Sequence, residues 1–139
     1  MPKTKRSVCP VCFKGYLERK VKRVTDACRG DSITYNQTGA WCNRCDEGIL
    51  SGRDALVTQP GLLQWRGRVD RQEALEIARI RKRLGITQAE AARIAGGGKN
   101  AFSRYERGQA RPVQAVSVPF KLLDRHPKLV AEAKELASA

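Results

Sequence analysis

Two hydrophobic patterns divide this chain. From Asp70 onward, apolar residues recur at helical spacing. Ile77, Ile80 and Leu84 fall at i, i+3 and i+7 within Ala74 to Leu84, and Arg79, Arg81, Lys82 and Arg83 surround that stripe. Gly85 stops this helix. Thr87-Gln88-Ala89-Glu90 then reads as a capping box, with Thr87 as N-cap and Glu90 reaching back. The helix it opens runs from Gln88 to roughly Ile94, and its small residues Ala91, Ala92 and Ala95 let another helix cross closely. Gly96-Gly97-Gly98 breaks the chain before a third helix, Lys99 to Arg107, which Gly108 ends. A fourth, Val118 to Arg125, carries Phe120, Leu122 and Leu123. It ends at His126-Pro127, because the residue before a proline avoids α geometry. Pro127 suits the first turn of a fifth helix, Lys128 to Leu136, and His126 reads as a cap or polar surface residue.

Before Asp70 the pattern changes. Tyr16 to Val24 sets Leu17, Val21 and Val24 among Glu18, Arg19, Lys20, Lys22 and Arg23, a charged strand. Ile33-Thr34-Tyr35 and Ala40-Trp41 supply further β formers, with a turn expected at Asn36 to Gly39. Ser51 to Arg68, which includes Gln59-Pro60-Gly61, reads as a turn or short linker. The expected fold class is therefore α+β. Residues 1–69 form a small antiparallel β domain with a linker at its end, and residues 70–139 an all-α, lambda-repressor-like domain of about five helices.

Length turns this division into a stability problem. In a chain of 139 residues, two domains are each too small to rely on a large core, so a staple is expected. All five cysteines lie in the first third: Cys9, Cys12, Cys28, Cys42 and Cys45. Cys9-Pro10-Val11-Cys12 and Cys42-Asn43-Arg44-Cys45 are two C-x-x-C pairs separated by 29 residues, enough for a small antiparallel sheet. Each pair places two thiolates on one tight turn, and two pairs complete a tetrahedral four-sulfur site suited to Zn²⁺ or iron. Such a closed site has no position for water, so its expected role is structural, with one Zn²⁺ per chain. The other reading of C-x-x-C, a thioredoxin-like redox pair, needs a strand–helix context absent here. Gly15 and Gly48 each follow a pair by three residues, as a backbone bend after each knuckle would require. Cys28 is left as a packed or loop thiol.

Charge supplies the partner. There are 27 Lys+Arg against 14 Asp+Glu, a net +13, split as +7 in residues 1–69 and +6 in residues 70–139. A polyanion is implied, nucleic acid before an anionic membrane surface. No apolar run approaches ~18 residues, so no span of a bilayer is expected. The basic flank Met1 to Arg6 has no apolar stretch after it, so a cytoplasmic protein is expected. No carboxylate pair or His–nucleophile constellation suggests an enzyme.

The third helix has two faces. Ala101, Phe102 and Tyr105 form the apolar one, and Lys99, Asn100, Ser103, Arg104 and Arg107 the polar one. Two short helices joined by a glycine turn, the second with such a face, read as a helix-turn-helix. Asn100 is suited to bidentate bonding of adenine and Arg104 to guanine. Lys99, Ser103 and Arg107 are placed for phosphates, as is Gln88 at the positive end of its helix. Read alone, Arg104 is a solvated charge and Asn100 a helix cap. The order of capping box, glycine turn and two-faced helix favours DNA readout.

The run Gly96 to Gly108, with Leu122-Leu123-Asp124-Arg125-His126-Pro127, Cys9-Pro10-Val11-Cys12 and Trp41-Cys42-Asn43-Arg44-Cys45-Asp46-Glu47, resembles the MqsA antitoxin family of bacterial toxin–antitoxin systems. The resemblance covers nearly the whole chain and is weakest over Ser51 to Glu73. It implies that Cys9, Cys12, Cys42 and Cys45 bind zinc and that Asn100 and Arg104 read bases. It also implies that the zinc domain masks an MqsR-type ribonuclease toxin. The helical domain would form homodimers and repress its own operon at a palindrome, on the nucleoid when bound. The +7 of the N-terminal part departs from this, because ribonuclease toxins are commonly basic too. Edge-strand pairing evades that repulsion. The alternative is a stand-alone dimeric regulator without a toxin, and Lys3, Lys5, Arg6, Arg66 and Arg68 are then further phosphate contacts or solvated charges.

Overall fold

The computed structural model describes residues 6–139; residues 1–5, which include Lys3 and Lys5, lie outside the described residues. The chain divides into two compact units, Met1–Gly67 and Arg68–Ala139. Among the described residues no helix is long and apolar enough to cross a membrane.

The first unit is a long hairpin with a short third strand. β1 (Leu17–Cys28) and β2 (Asp31–Cys42) pair antiparallel over their full length, from Leu17 opposite Cys42 to Cys28 opposite Asp31. β3 (Gly48–Ile49) adds to the other side of β2. The strands turn at Arg29 and Gly30, whose φ values are 52° and 82°, the type I′ pattern that matches the twist of a hairpin.

The turn expected at Asn36 to Gly39 is therefore not there, because these residues continue β2. Two tertiary demands explain their turn-like composition. Gln37 is buried and fully engaged: its Nε2 donates to the carbonyls of Thr38 (2.8 Å) and Asp54 (3.2 Å), and its Oε1 accepts from Thr58 Oγ1 (2.7 Å). At Gly39 a Cβ would sit 2.7 Å from Leu50 Cδ2, so glycine serves close approach.

Ser51 to Arg68 is also corrected. α1 runs from Gly52 to Leu84, straight through the expected linker. Its start is locally encoded: Ser51 N donates to Asp54 Oδ2 (2.8 Å), and Asp54 N donates to Ser51 Oγ (3.2 Å). Pro60 lies inside the helix. It removes one hydrogen bond, to the carbonyl of Leu56, in a turn exposed enough for water to replace it. Trp65 holds this stretch against the hairpin, since it is buried and its Nε1 donates to Asp31 Oδ2 at 2.9 Å.

The second unit takes the remainder of α1 with α2 (Gln88–Ala95), α3 (Ala101–Glu106), α4 (Gln114–Arg125), a 3₁₀ turn at Pro127–Leu129, and α5 (Val130–Ser138). Its core gathers Ile77 and Ile80 of α1, Ile86, Ala91 and Ala92, Phe102 and Tyr105 of α3, and Val116 and Phe120 of α4. Phe102 is central, with its ring centroid 5.0 Å from that of Phe120 and 5.5 Å from that of Tyr105, edge-on. Burying each phenyl group contributes ~1.5–3 kcal/mol. α3 is shorter than the expected Lys99–Arg107, because Asn100 (φ −105°, ψ 6°) is already outside helical geometry.

Candidate metal centre and nucleic-acid interface

The four sulfurs of Cys9, Cys12, Cys42 and Cys45 all lie within 4.8 Å of one another. Cys9 Sγ is 3.7 Å from Cys45 Sγ, and Cys12 Sγ is 3.7 Å from Cys42 Sγ. A tetrahedron with ~2.3 Å metal–sulfur bonds has edges of ~3.8 Å, so the four donors fit one ion. Backbone geometry shapes both knuckles. In the first, Cys9 N donates to Gly15 O (2.8 Å), Phe13 N donates to Cys9 O (3.0 Å), and Phe13 takes a positive φ of 55°. In the second, the N–H groups of Arg44 and Cys45 point at Cys42 Sγ, 3.3 and 3.4 Å away. Asn43 ties the two knuckles together: its Oδ1 accepts from Tyr16 N (2.9 Å) and its own N donates to Tyr16 O (3.1 Å).

The expected bend is present at Gly15, whereas Gly48 opens β3 instead, and neither takes a positive φ. Both are required by space. A Cβ at Gly15 would lie 2.5 Å from Cys42 Sγ, and one at Gly48 would lie 2.4 Å from the Trp41 ring.

The thiols of the cluster differ in acidity. Backbone N–H groups of Lys14 and Gly15 bring the Cys12 thiol down to about 6. At Cys45 the N–H of Glu47 also favours the thiolate, but burial and the neighbouring thiols outweigh it and push the group up to about 12. Four thiolates cannot share this volume without a positive ion between them. Cys28 stands at the opposite end of the hairpin, next to the turn.

In the second unit, Thr87 and Glu90 form the expected reciprocal pair: Glu90 N donates to Thr87 Oγ1 (3.1 Å), and Thr87 N to Glu90 Oε2 (2.8 Å). Lys134 Nζ of α5 donates to the other Glu90 oxygen at 3.0 Å. The glycine turn has φ values of 85°, 100° and 88° at Gly96, Gly97 and Gly98, a conformation that L side chains rarely adopt. α2 and α3 thus form a helix-turn-helix pair.

α3 buries Ala101, Phe102 and Tyr105 and leaves Lys99, Asn100, Arg104 and Arg107 exposed, with Ser103 half-buried. Asn100 stands at the N-cap but makes no side-chain capping bond. Arg104 has no side-chain hydrogen bond or ion pair among the described residues. Arg107 turns back, its Nε donating to Ser103 O at 3.1 Å. Gln88 is partly engaged, with Nε2 donating to Glu106 Oε2 at 3.1 Å.

Glu106 is the hub that sequence reasoning missed. Arg81 of α1 grips both its carboxylate oxygens and also donates from a terminal nitrogen to Ile86 O (3.1 Å). Burial raises the Glu106 carboxyl, but these bonds from Arg81 and Gln88 outweigh it and keep the group below the usual carboxylate range. One carboxylate therefore fixes α3 against α1 and the start of α2. The available signal was that Glu106 is the lone acid between Gly96 and Arg111, on a segment otherwise basic.

These two centres define the class: a helix-turn-helix protein whose N-terminal β unit gathers four cysteines that could hold one metal ion. Residues 7–134 match the family described as the antitoxin component of bacterial toxin-antitoxin systems, MqsA. The chain is also 33% identical over 129 residues to Antitoxin MqsA of Escherichia coli (strain K12), covering 91% of this chain and 98% of that protein. The chain belongs to the MqsA antitoxin family.

Proposed function

We propose that this chain neutralises a ribonuclease toxin of MqsR type and represses its own operon by binding operator DNA as a homodimer, in the bacterial cytoplasm. The carrying observation is the face of α3: Asn100 and Arg104 are exposed and engaged in no side-chain bond, behind a formed capping box and glycine turn. Asn100 reads adenine and Arg104 guanine, while Gln88, Lys99, Ser103 and Arg107 hold phosphates. Gln88 retains one amide hydrogen and its oxygen for this beyond its bond to Glu106.

The four-cysteine centre holds one Zn²⁺, which staples the knuckles and takes no part in catalysis because its four positions are filled by sulfur. β1 is the edge strand of its sheet, so beyond Leu17, whose N donates to Ser7 O (2.8 Å), its outer backbone groups are available for pairing with a toxin strand, a mode indifferent to net charge. Exposed Leu122, Leu129 and Leu136 border a cavity of about 530 Å³ between α2, α4 and α5, an apolar surface suited to a second copy.

Co-expression tests the reading. The product of the adjacent reading frame should co-purify with this chain and be toxic when expressed without it. The +7 of residues 1–69 favours the second reading, a dimeric regulator without a toxin, because two basic surfaces do not steer together. A harmless neighbour that does not bind decides for that reading.

A further inference from the structure

The segment after α3 presents a cation that the helix-turn-helix pattern does not include. α3 ends in a Schellman turn: Gly108 takes φ 70°, Gly108 N donates to Tyr105 O (3.1 Å), and Gln109 N donates to Arg104 O (2.9 Å). This reverses the chain and brings Arg111 back beside the recognition face. A concavity of about 290 Å³ is lined there by Lys99, Asn100, Arg104 and Arg111 together.

Arg111 is held on two sides. It precedes Pro112, which restricts its backbone to extended geometry. Its guanidinium donates to Asp70 Oδ2 of α1 at 2.7 Å, yet the side chain remains about half exposed. The other Asp70 oxygen is buried without a partner, so this carboxylate is committed to Arg111. A guanidinium carries five N–H donors in a rigid fork, and one carboxylate oxygen leaves most of them for a second anion.

We infer that Arg111 binds a backbone phosphate of the duplex read by Asn100 and Arg104, and that Asp70 is the positioning residue that aims it. The inference rests on the DNA-binding reading above and adds to it a contact from outside the helix-turn-helix. An arginine on a flexible stem loses rotamer freedom when it grips a phosphate; here the ion pair and the proline have already restricted it.

The test uses the full chain and two labelled duplexes of equal length. One is the sequence upstream of the chain's own reading frame, the other a scrambled version. Arg111→Ala should weaken binding to both by the same factor, about fivefold at 0.15 M salt, and reduce the slope of log K against log salt by about 0.9. Arg111→Lys should restore the slope but only part of the affinity, since an ammonium cannot grip Asp70 and a phosphate as a fork. Asp70→Asn should weaken both duplexes without changing the ratio between them. A merely structural pair would lower the melting temperature and leave the salt slope unchanged.

Asn100→Ala separates the two levels of the argument. If the wild-type chain prefers the upstream duplex, Asn100→Ala abolishes that preference and Arg111→Ala changes nothing, the Arg111 assignment is overturned alone. If Arg111→Ala instead reduces only the preference, Arg111 reads a base and the phosphate assignment is overturned. If the wild-type chain has no preference and Asn100→Ala has no effect, the helix-turn-helix reading falls and the Arg111 assignment falls with it.

Discussion

Asn100 and Arg104 differ from their neighbours in what the fold leaves undone. Arg81 is spent on Glu106, and Arg79 and Arg83 on Asp124. Asn100 makes no cap, and Arg104 makes no pair among the described residues. Truncating either to alanine should cost ~1–3 kcal/mol at the operator and little on random DNA, which fluorescence anisotropy with both duplexes measures. Arg81→Met should act the other way, on stability. It leaves Glu106 and the Ile86 carbonyl without a strong donor, a loss of about 1–3 kcal/mol in thermal or urea unfolding. Asp54 predicts a pH effect. Hydrogen bonds from Arg19 and from Ser51 hold its carboxyl well below the usual range. Its folded form is thus the more acidic, so its contribution is fully present above ~pH 4 and is lost progressively as pH falls further. Asp54→Asn should flatten the acid limb of the hairpin's unfolding curve, followed by circular dichroism between neutral and low pH.

The elements show which signals are local and which are not. The Thr87–Glu90 box was legible because both partners are in the sequence signature itself, and Thr87→Ala should cost ~1 kcal/mol of thermal stability. Ser51 and Asp54 carry a similar signature, but Pro60-Gly61 obscured it. The helix continues because water can replace one missing donor and because Trp65 and Asp54 are anchored on the hairpin. Those anchors lie 34 and 35 residues away, where no window over the sequence reaches. The turn was misplaced for the same reason. Arg29-Gly30 lacks the Asn or Asp typical of type I′, whereas Asn36 to Gly39 has turn composition for tertiary purposes. The equal spacing of Gly15 and Gly48 is visible in the sequence, but its cause is a sulfur and an indole ring. Gly48→Ala must displace Trp41, and the first unit should lose thermal stability without loss at the second.

At the scale of the whole molecule, the two units should respond separately to the metal. Chelation, or Cys42→Ser, should abolish the β signal of the first unit while helical signal from residues 68–139 persists; simultaneous loss of both would contradict the division. The cysteine cluster was legible because C-x-x-C spacing encodes a knuckle directly. Arg111 was not, since its position depends on a Schellman turn and on Asp70, 41 residues earlier.

The register of the hairpin has a consequence for the order in which this unit assembles. Arg29-Gly30 is the most local contact in β1–β2, and pairing that starts there closes one rung at a time. Leu17 meets Cys42 at the last rung, so the four sulfurs converge only when every earlier rung is correct. A slip of one residue would turn Cys42 to the other face and leave the tetrahedron open. An ion held by these four sulfurs would thus be a latch that closes on one register and rejects the rest. In refolding with Zn²⁺ present, capture of the ion and the rise of β signal should coincide, and an ion taken up ahead of the β signal would refute this order.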